Sequence, residues 1–213
     1  MLKHFKKVLS IDRHIFCLNA LAIIILLFLS ISVKTLNRGD VLVSLFDDPF
    51  SASRPYIGTL ATLTELMWCT SLTICLWSLG ILKKIQPNRK VNLFIFYSTI
   101  GTGILFIDDV FRINLILEKF GIPKLIVYLV YGTAALAYGL YFRRIIGSTP
   151  YILLIISASL FIISGLGDSL LLAGRGAKAM LEDGTRLLGI LNLTLYFQQV
   201  CWQEVLQSLS RKR

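Results

Sequence analysis

Residues 15–33, IFCLNALAIIILLFLSISV, form an apolar run that contains no charged side chain. A helix needs about 20 mostly apolar residues to cross the hydrocarbon of a bilayer. The hydrophobic region of a secretory signal is shorter, at about 7 to 15 residues, although Ser30 and Ser32 would suit a weak cleavage site. We therefore predict an uncleaved membrane-spanning helix over residues 15–33.

Five further apolar stretches of similar length follow the first. Hydrophobic residues make up 55% of the chain, the mean hydropathy is +0.73, and charged residues make up only 16%. A soluble domain carries about a quarter charged residues. The sequence thus predicts an all-α, polytopic transmembrane helix bundle over residues 15–206, with six spans near 15–33, 57–82, 91–111, 125–142, 150–171 and 187–206.

The distribution of basic residues predicts how these spans are oriented. Thirteen of the 22 Lys and Arg residues cluster on the side of both termini, and nine lie on the other side. Because positive charge collects on the cytoplasmic side, both termini are predicted to be cytoplasmic, in a multi-pass protein of the cell inner membrane. Residues 1–14 form a basic amphipathic leader that suits the lipid headgroups, and residues 207–213 form a basic tail.

The formal net charge of +10 does not indicate nucleic-acid binding. The bases form short clusters between apolar spans, and a basic stripe with interleaved aromatic residues is absent from the sequence. The partner that the composition does imply is the lipid bilayer.

The four cysteines lie inside apolar spans and form no CxxC motif. Since free cysteine usually packs as a small hydrophobic side chain, we predict that all four are buried residues without a chemical role. They are Cys17, Cys69, Cys75 and Cys201.

Acidic residues are concentrated on the side opposite the termini, which holds ten of the twelve. Serine and threonine share a helix face with Glu65 in the second span, with Asp109 in the third and with Asp168 in the fifth. The candidate ion- or partner-binding residues are Glu65, Asp108, Asp109, Asp168, Glu182 and Asp183.

Two explanations of these acids remain open. In the structural one, Arg112 and Arg186 are charge partners of Asp108 and Glu182 at the helical i, i+4 spacing. Spacing identifies no base for the other three intramembrane acids. In the second explanation, Glu65, Asp109 and Asp168, alone or together with Glu182 or Asp183, therefore line a wet cavity for protons or hard cations such as Ca²⁺, Mg²⁺ or Mn²⁺.

Enzyme signatures are absent from the sequence, which contains no GxSxG, P-loop, HExxH or Gly-rich dinucleotide turn. Both histidines, His4 and His14, lie in the leader, so no intramembrane histidine indicates zinc or haem. The sequence leaves open whether a metal, a pigment or a quinone is bound, and the cofactor is unknown.

Three stretches resemble an uncharacterised group of small bacterial inner-membrane proteins. They are TELMWCTSLTICLW at 64–77, LFIDDVFR at 105–112 and LEDGTRLLGILNLTLYF at 181–197. The resemblance implies a bacterial envelope, a cyanobacterial one among the options, and no assigned activity. Retinal proteins match poorly because the last span lacks lysine, and ceramidase-like hydrolases because membrane histidines are missing.

Three classes of function follow from these observations. The first is an accessory subunit that docks a membrane-protein partner, or a second copy of itself, through its outer acids. The second is a small ion- or proton-coupled carrier or channel that uses Glu65, Asp109 and Asp168. The third is a metal-dependent membrane enzyme acting on lipid, for which Asp108, Asp109 and Asp168 would have to converge.

Overall fold

The computed structural model describes residues 13–35, 39–46, 57–87, 89–167 and 175–210. All regular structure in these ranges is helical, which confirms the predicted all-α class. The α-helices are α1 (Arg13–Thr35), α2 (Gly39–Phe46), α3 (Thr59–Ile85), α4 (Lys90–Phe111), α5 (Ile113–Lys119), α6 (Lys124–Tyr141), α7 (Arg143–Ile146), α8 (Tyr151–Gly167), α9 (Arg175–Ala179) and α10 (Thr185–Ser210), and a π-helical turn, Met180–Gly184, joins α9 to α10.

Four helices of the described part are long and apolar enough to cross a membrane: α1 over Arg13–Ser32, α3, α4 and α6. Helix α8 is apolar but shorter, with 17 residues. Helix α10 has 26 residues and carries more polar side chains, including Gln198 and Gln199. It continues to Ser210, so part of the predicted tail is helical. Residues 1–12 of the leader, 168–171 of the fifth predicted span and 211–213 lie outside the described residues.

Local chemistry explains where α3 and α4 end. Helix α3 stops shortly before Pro87, and the Asn92 side chain donates to the carbonyls of Gln86 (2.7 Å) and Pro87 (3.2 Å). Helix α4 ends because Arg112 adopts a left-handed conformation, with φ 49° and ψ 46°. A non-glycine residue seldom has a positive φ, so Arg112 marks a sharp break in the chain.

The chain divides into two compact units, and the division falls within α3 and α10. The described residues of unit 1 are 68–87, 89–151 and 196–210. In this unit the ring of Phe94 stacks on that of Tyr138 at 5.6 Å, and the Ser98 hydroxyl lies 2.6 Å from the Tyr138 hydroxyl. The Thr149 hydroxyl lies 3.0 Å from that of Tyr196. Hydroxyl pairs thus connect α4 to α6, and the turn before α8 to α10, within unit 1.

The described residues of unit 2 are 13–35, 39–46, 57–67, 152–167 and 175–195. Here the side chain of Asn192 on α10 donates to the side-chain oxygen of Asn19 on α1, at 2.8 Å. The Ser157 hydroxyl of α8 donates to the backbone carbonyl of Gly189 on α10, also at 2.8 Å. A Cβ atom on Gly189 would lie 3.2 Å from the Phe161 ring, so glycine allows α8 and α10 to approach this closely.

Candidate functional site

Asp108 is a buried hydrogen-bond acceptor at the end of α4. The residue is 7% exposed, and its Oδ1 accepts the backbone N–H of Asn114 at 3.1 Å. A buried carboxylate needs such a donor because it loses its water shell. Asp108 therefore connects the end of α4 to the start of α5.

Arg112, the predicted charge partner of Asp108, is exposed and stands in the left-handed break after α4. The regular i, i+4 spacing on which the predicted pair depends consequently ends at Phe111. The backbone N–H of Arg112 instead donates to the backbone carbonyl of Asp108. Neighbouring Asp109 is half-buried and has an interaction partner in the structure.

The sequence predicted that serine and threonine hydroxyls share polar helix faces with the acids. In the structure, these hydroxyls donate to backbone carbonyls. Three return to the preceding turn of their own helix: Thr62 to Gly58, Ser98 to Phe94 and Thr102 to Ser98. Ser157 and Ser164 of α8 instead donate to the carbonyls of Gly189 and Glu182. These groups thus stabilise single helices or helix pairs.

Glu182 and Asp183 lie side by side, half-buried, in the π-helical turn Met180–Gly184. A π turn displaces one backbone hydrogen bond, so its carbonyls need other donors. The carbonyl of Glu182 accepts the Ser164 hydroxyl at 2.7 Å and the Thr185 hydroxyl at 3.3 Å. A Cβ on Gly167 would lie 3.6 Å from the Glu182 backbone, which shows a close approach of α8. The acidic turn is therefore held in a defined position by α8.

The π turn also alters the predicted pair of Glu182 with Arg186. The two residues lie on either side of the junction between π and α geometry, so their spacing is not that of a continuous α-helix. Both residues have interaction partners in the structure, as does Asp183. The pairing of Glu182 with Arg186 stays a prediction.

The structure places the candidate acids in different regions. Asp108 and Asp109 belong to unit 1, whereas Glu65, Glu182 and Asp183 belong to unit 2. Glu65 is half-buried and has an interaction partner, and Asp168 lies outside the described residues. The predicted convergence of Glu65, Asp109 and Asp168 on one cavity stays a prediction. In the described ranges, no three His, Cys, Asp or Glu side chains are grouped so that they could hold a metal ion.

The four cysteines differ in their exposure. Cys75 of α3 and Cys201 of α10 are buried, as predicted. The prediction that all four cysteines are buried is wrong for Cys17 and Cys69, which are exposed.

Comparison with known proteins identifies one family. The model of a domain of unknown function, DUF8692, matches residues 16–200. This agrees with the resemblance to an uncharacterised group, whereas the bacterial source stays a prediction. No curated protein and no solved structure matches the chain.

Proposed function

This chain belongs to the DUF8692 family of domains of unknown function, and we propose that it is an accessory subunit of a membrane complex. In this proposal the acidic turn, defined as Glu182 and Asp183, docks a membrane-protein partner through a basic segment of that partner. The observation that carries the proposal is the fixed position of these two adjacent acids in a π turn, since π turns occur often at functional sites.

Membrane insertion and orientation form part of the proposal. The apolar helices α1, α3, α4 and α6 support it, as do the shorter α8 and the six predicted spans. The excess of Lys and Arg beside both termini favours an inner membrane with both termini in the cytoplasm. The acidic turn then lies near the outer face, where a basic partner segment can reach it.

The fixed backbone of the acidic turn supports docking. Ser157 and Ser164 of α8 donate to the backbone carbonyls of Gly189 and Glu182, which holds the turn and α10 against α8. Half-buried acids on a backbone held by α8 suit a protein partner, because a preorganised site loses little entropy on binding.

Site-specific photocrosslinking in membranes of the native host tests this proposal. A benzophenone amino acid is placed at Ala177, which is exposed on α9 near the acidic turn, and at Leu136, which is exposed on α6, as the control position. We expect a crosslinked product larger than the chain from position 177 and none of that size from position 136. The double variant Glu182→Gln/Asp183→Asn should lose this product.

Glu118→Gln supplies the matched control variant. Glu118 is a carboxylate whose side chain is 54% exposed, with its Oε2 3.8 Å from the Lys124 ammonium in α6. Its neutralisation should leave the crosslink unchanged. A crosslink that persists after neutralisation of both acids of the turn would contradict the docking proposal. A proton or cation flux in liposomes that Glu65→Gln abolishes would favour the carrier instead.

A further inference from the structure

Unit 1 carries a row of aromatic rings where α4 begins and α6 ends. The centre of the Phe96 ring lies 5.7 Å from that of Tyr97, and the centre of the Tyr97 ring lies 6.0 Å from that of Phe142. The Tyr141 ring packs edge-on against Phe142 at 4.7 Å. Phe142 is buried, whereas the other three residues are exposed. These four residues, here called the aromatic band, thus place rings of α4 and α6 side by side at the surface.

Five exposed basic residues lie at the same end of unit 1 and are here called the basic rim. They are Lys83 and Lys84 at the end of α3, Lys90 at the start of α4, and Arg143 and Arg144 in α7. The Lys83 ammonium lies over the Phe96 ring, 5.5 Å from its centre. Arg143 directly follows Phe142 in the chain. The basic rim therefore meets the aromatic band at Phe96 and at Phe142.

The acids of unit 1 lie away from the basic rim or have a base of their own. The sequence holds no Asp or Glu from 66 to 107 or from 119 to 167. Asp108, Asp109 and Glu118 lie at or beyond the far end of α4. The Glu204 carboxylate of α10 lies 3.2 Å from the guanidinium of Arg89, which is outside the rim. The rim thus groups charges of one sign, and an anion from outside the chain would stabilise it.

Exposed apolar side chains continue from the aromatic band along both helices. Ile100 and Ile104 follow Phe96 at intervals of four residues, so the three share one face of α4. Leu136 and Leu140 are exposed on the last turns of α6. A free phosphate or an acidic peptide would neutralise the rim and leave these apolar side chains uncovered. A phospholipid would satisfy both, because its phosphate is joined to acyl chains.

We propose that the basic rim and the aromatic band form a binding site for an anionic phospholipid of the cytoplasmic leaflet. The bases bind the headgroup, the two tyrosines of the band lie at headgroup level, and the acyl chains lie along α4 and α6. This inference rests on the membrane insertion proposed above and not on docking by the acidic turn. Because a ligand of the folded state stabilises it, unit 1 should be more stable in membranes rich in anionic lipid.

Photocrosslinking to lipid tests the proposal with the full-length protein in vesicles of equal amounts of phosphatidylglycerol and phosphatidylcholine. A benzophenone amino acid is placed at Leu140, beside the aromatic band, or at Leu125, at the other end of α6; the two leucines are 69% and 67% exposed. Mass spectrometry identifies the attached lipid. At position 140 phosphatidylglycerol should exceed phosphatidylcholine by about fivefold, the factor that one base contributes near an anionic surface. At position 125 the adducts should follow the vesicle composition, because residues 108–124 hold three bases and three acids.

Two double variants remove different parts of the basic rim. Lys83→Gln/Arg143→Gln removes the bases that meet the aromatic band, and the lipid ratio at position 140 should fall to that at position 125. Lys84→Gln/Arg144→Gln leaves the contact of Lys83 with Phe96 in place and should lower the ratio as well. Arg112→Gln/Lys119→Gln is the matched control, since it removes the same charge from exposed residues beyond α4 and should leave the ratio at position 140 unchanged. Circular dichroism verifies that each variant is folded.

Three results would overturn the proposal, each for a different reason. Equal lipid ratios at positions 140 and 125 would show that this end of unit 1 does not select anionic lipid. A ratio at position 140 that excess inorganic phosphate abolishes, while chloride of the same ionic strength does not, would show that the rim binds free phosphate instead. The absence of lipid adducts at both positions would refute membrane insertion itself, which separates that failure from a failure of the lipid site alone.

Discussion

Thr99 and Thr102 of α4 and the serines of α8 all donate to backbone carbonyls, but these carbonyls lie in different segments. Thr99 and Thr102 of α4 return their protons to the carbonyls of Ile95 and Ser98 in the same helix, both at 2.8 Å. The serines of α8 donate across to another segment: Ser157 reaches Gly189 of α10, and Ser164 reaches Glu182 in the π turn.

The two helices share one sequence pattern, hydroxyl residues spaced along an apolar helix, and differ in its physical consequence. A hydroxyl that donates to the preceding turn of its own helix makes its hydrogen bond without a second segment. It therefore contributes little to the stability of the tertiary fold. A hydroxyl that bonds to another segment holds two elements together, which in membrane proteins contributes about 0.6 kcal/mol on average. The comparison therefore predicts that mutations of the α8 serines and their partners disturb the fold more than equivalent mutations of Thr99 and Thr102 in α4.

The largest effect is expected from Gly189→Val, because it separates the two elements that Ser157 joins. A Cβ at this position would lie 3.2 Å from the Phe161 ring. Overpacking of this kind typically costs about 1 to 3 kcal/mol. Unfolding by dodecyl sulfate in mixed micelles, followed by circular dichroism, measures the loss of stability.

Gly132→Ala is the matched control, since a Cβ there meets no atom within 4 Å. Alanine favours a helix over glycine by about 1 kcal/mol, so this variant should be unchanged or more stable. Equal destabilisation of both variants would show that close approach at Gly189 does not matter to the fold.

Helix positions could be predicted from the sequence because they depend on local patterns. The predicted span 91–111 corresponds to Lys90–Phe111, and 125–142 to Lys124–Tyr141. Prolines and basic clusters mark the ends of these apolar runs. A run long enough to cross a bilayer leaves little freedom to any other structure, so this part of the fold follows from composition and periodicity.

The candidate site could not be predicted to the same extent because it depends on departures from regular geometry. The sequence around Glu182 is compatible with an ordinary α-helix, and nothing in it indicates a π turn. The backbone partner of Asp108 depends on the left-handed conformation of Arg112, which is unusual for arginine. Polar Asn19 and Asn192 stand inside apolar runs, and that signal could have indicated an interhelical contact.

The Asn19–Asn192 contact should give the next largest effect, and it extends the comparison from hydroxyls to amides. Asn192 donates to Asn19 at 2.8 Å and to its own helix at the Leu188 carbonyl, while its buried side-chain oxygen accepts no hydrogen bond from the described part of the chain. A double-mutant cycle with Asn19→Ala and Asn192→Ala should show a coupling of about 1 kcal/mol. Additive single effects, measured by the same unfolding assay, would show that the contact contributes no energy.

Ser157→Ala should cost less, at about 0.6 kcal/mol, because it removes one interhelical hydrogen bond and little volume. The Gly189 carbonyl lies within α10 and so keeps its place in the helical backbone pattern. The loss should vanish in the background of Gly189→Val, in which the two helices are already separated. If Ser157→Ala lowered the stability equally in the wild type and in Gly189→Val, Ser157 would act through some other contact.

Thr99→Val should have the smallest effect. It is the reference for a hydroxyl that bonds only within its own helix. Valine keeps the shape of threonine and removes only the hydroxyl, whose bond runs to Ile95 in the same helix. That carbonyl keeps its helical N–H partner, and the buried hydroxyl no longer has to be satisfied. Replacing a hydroxyl that bonds only within its own helix by an apolar group of the same shape can leave the stability nearly unchanged. We therefore expect a change within about 0.5 kcal/mol in the same unfolding assay. If Thr99→Val were instead as costly as Ser157→Ala, the two helices would use their hydroxyls alike, and the distinction between bonds within a helix and bonds between segments would carry no energetic meaning in this fold.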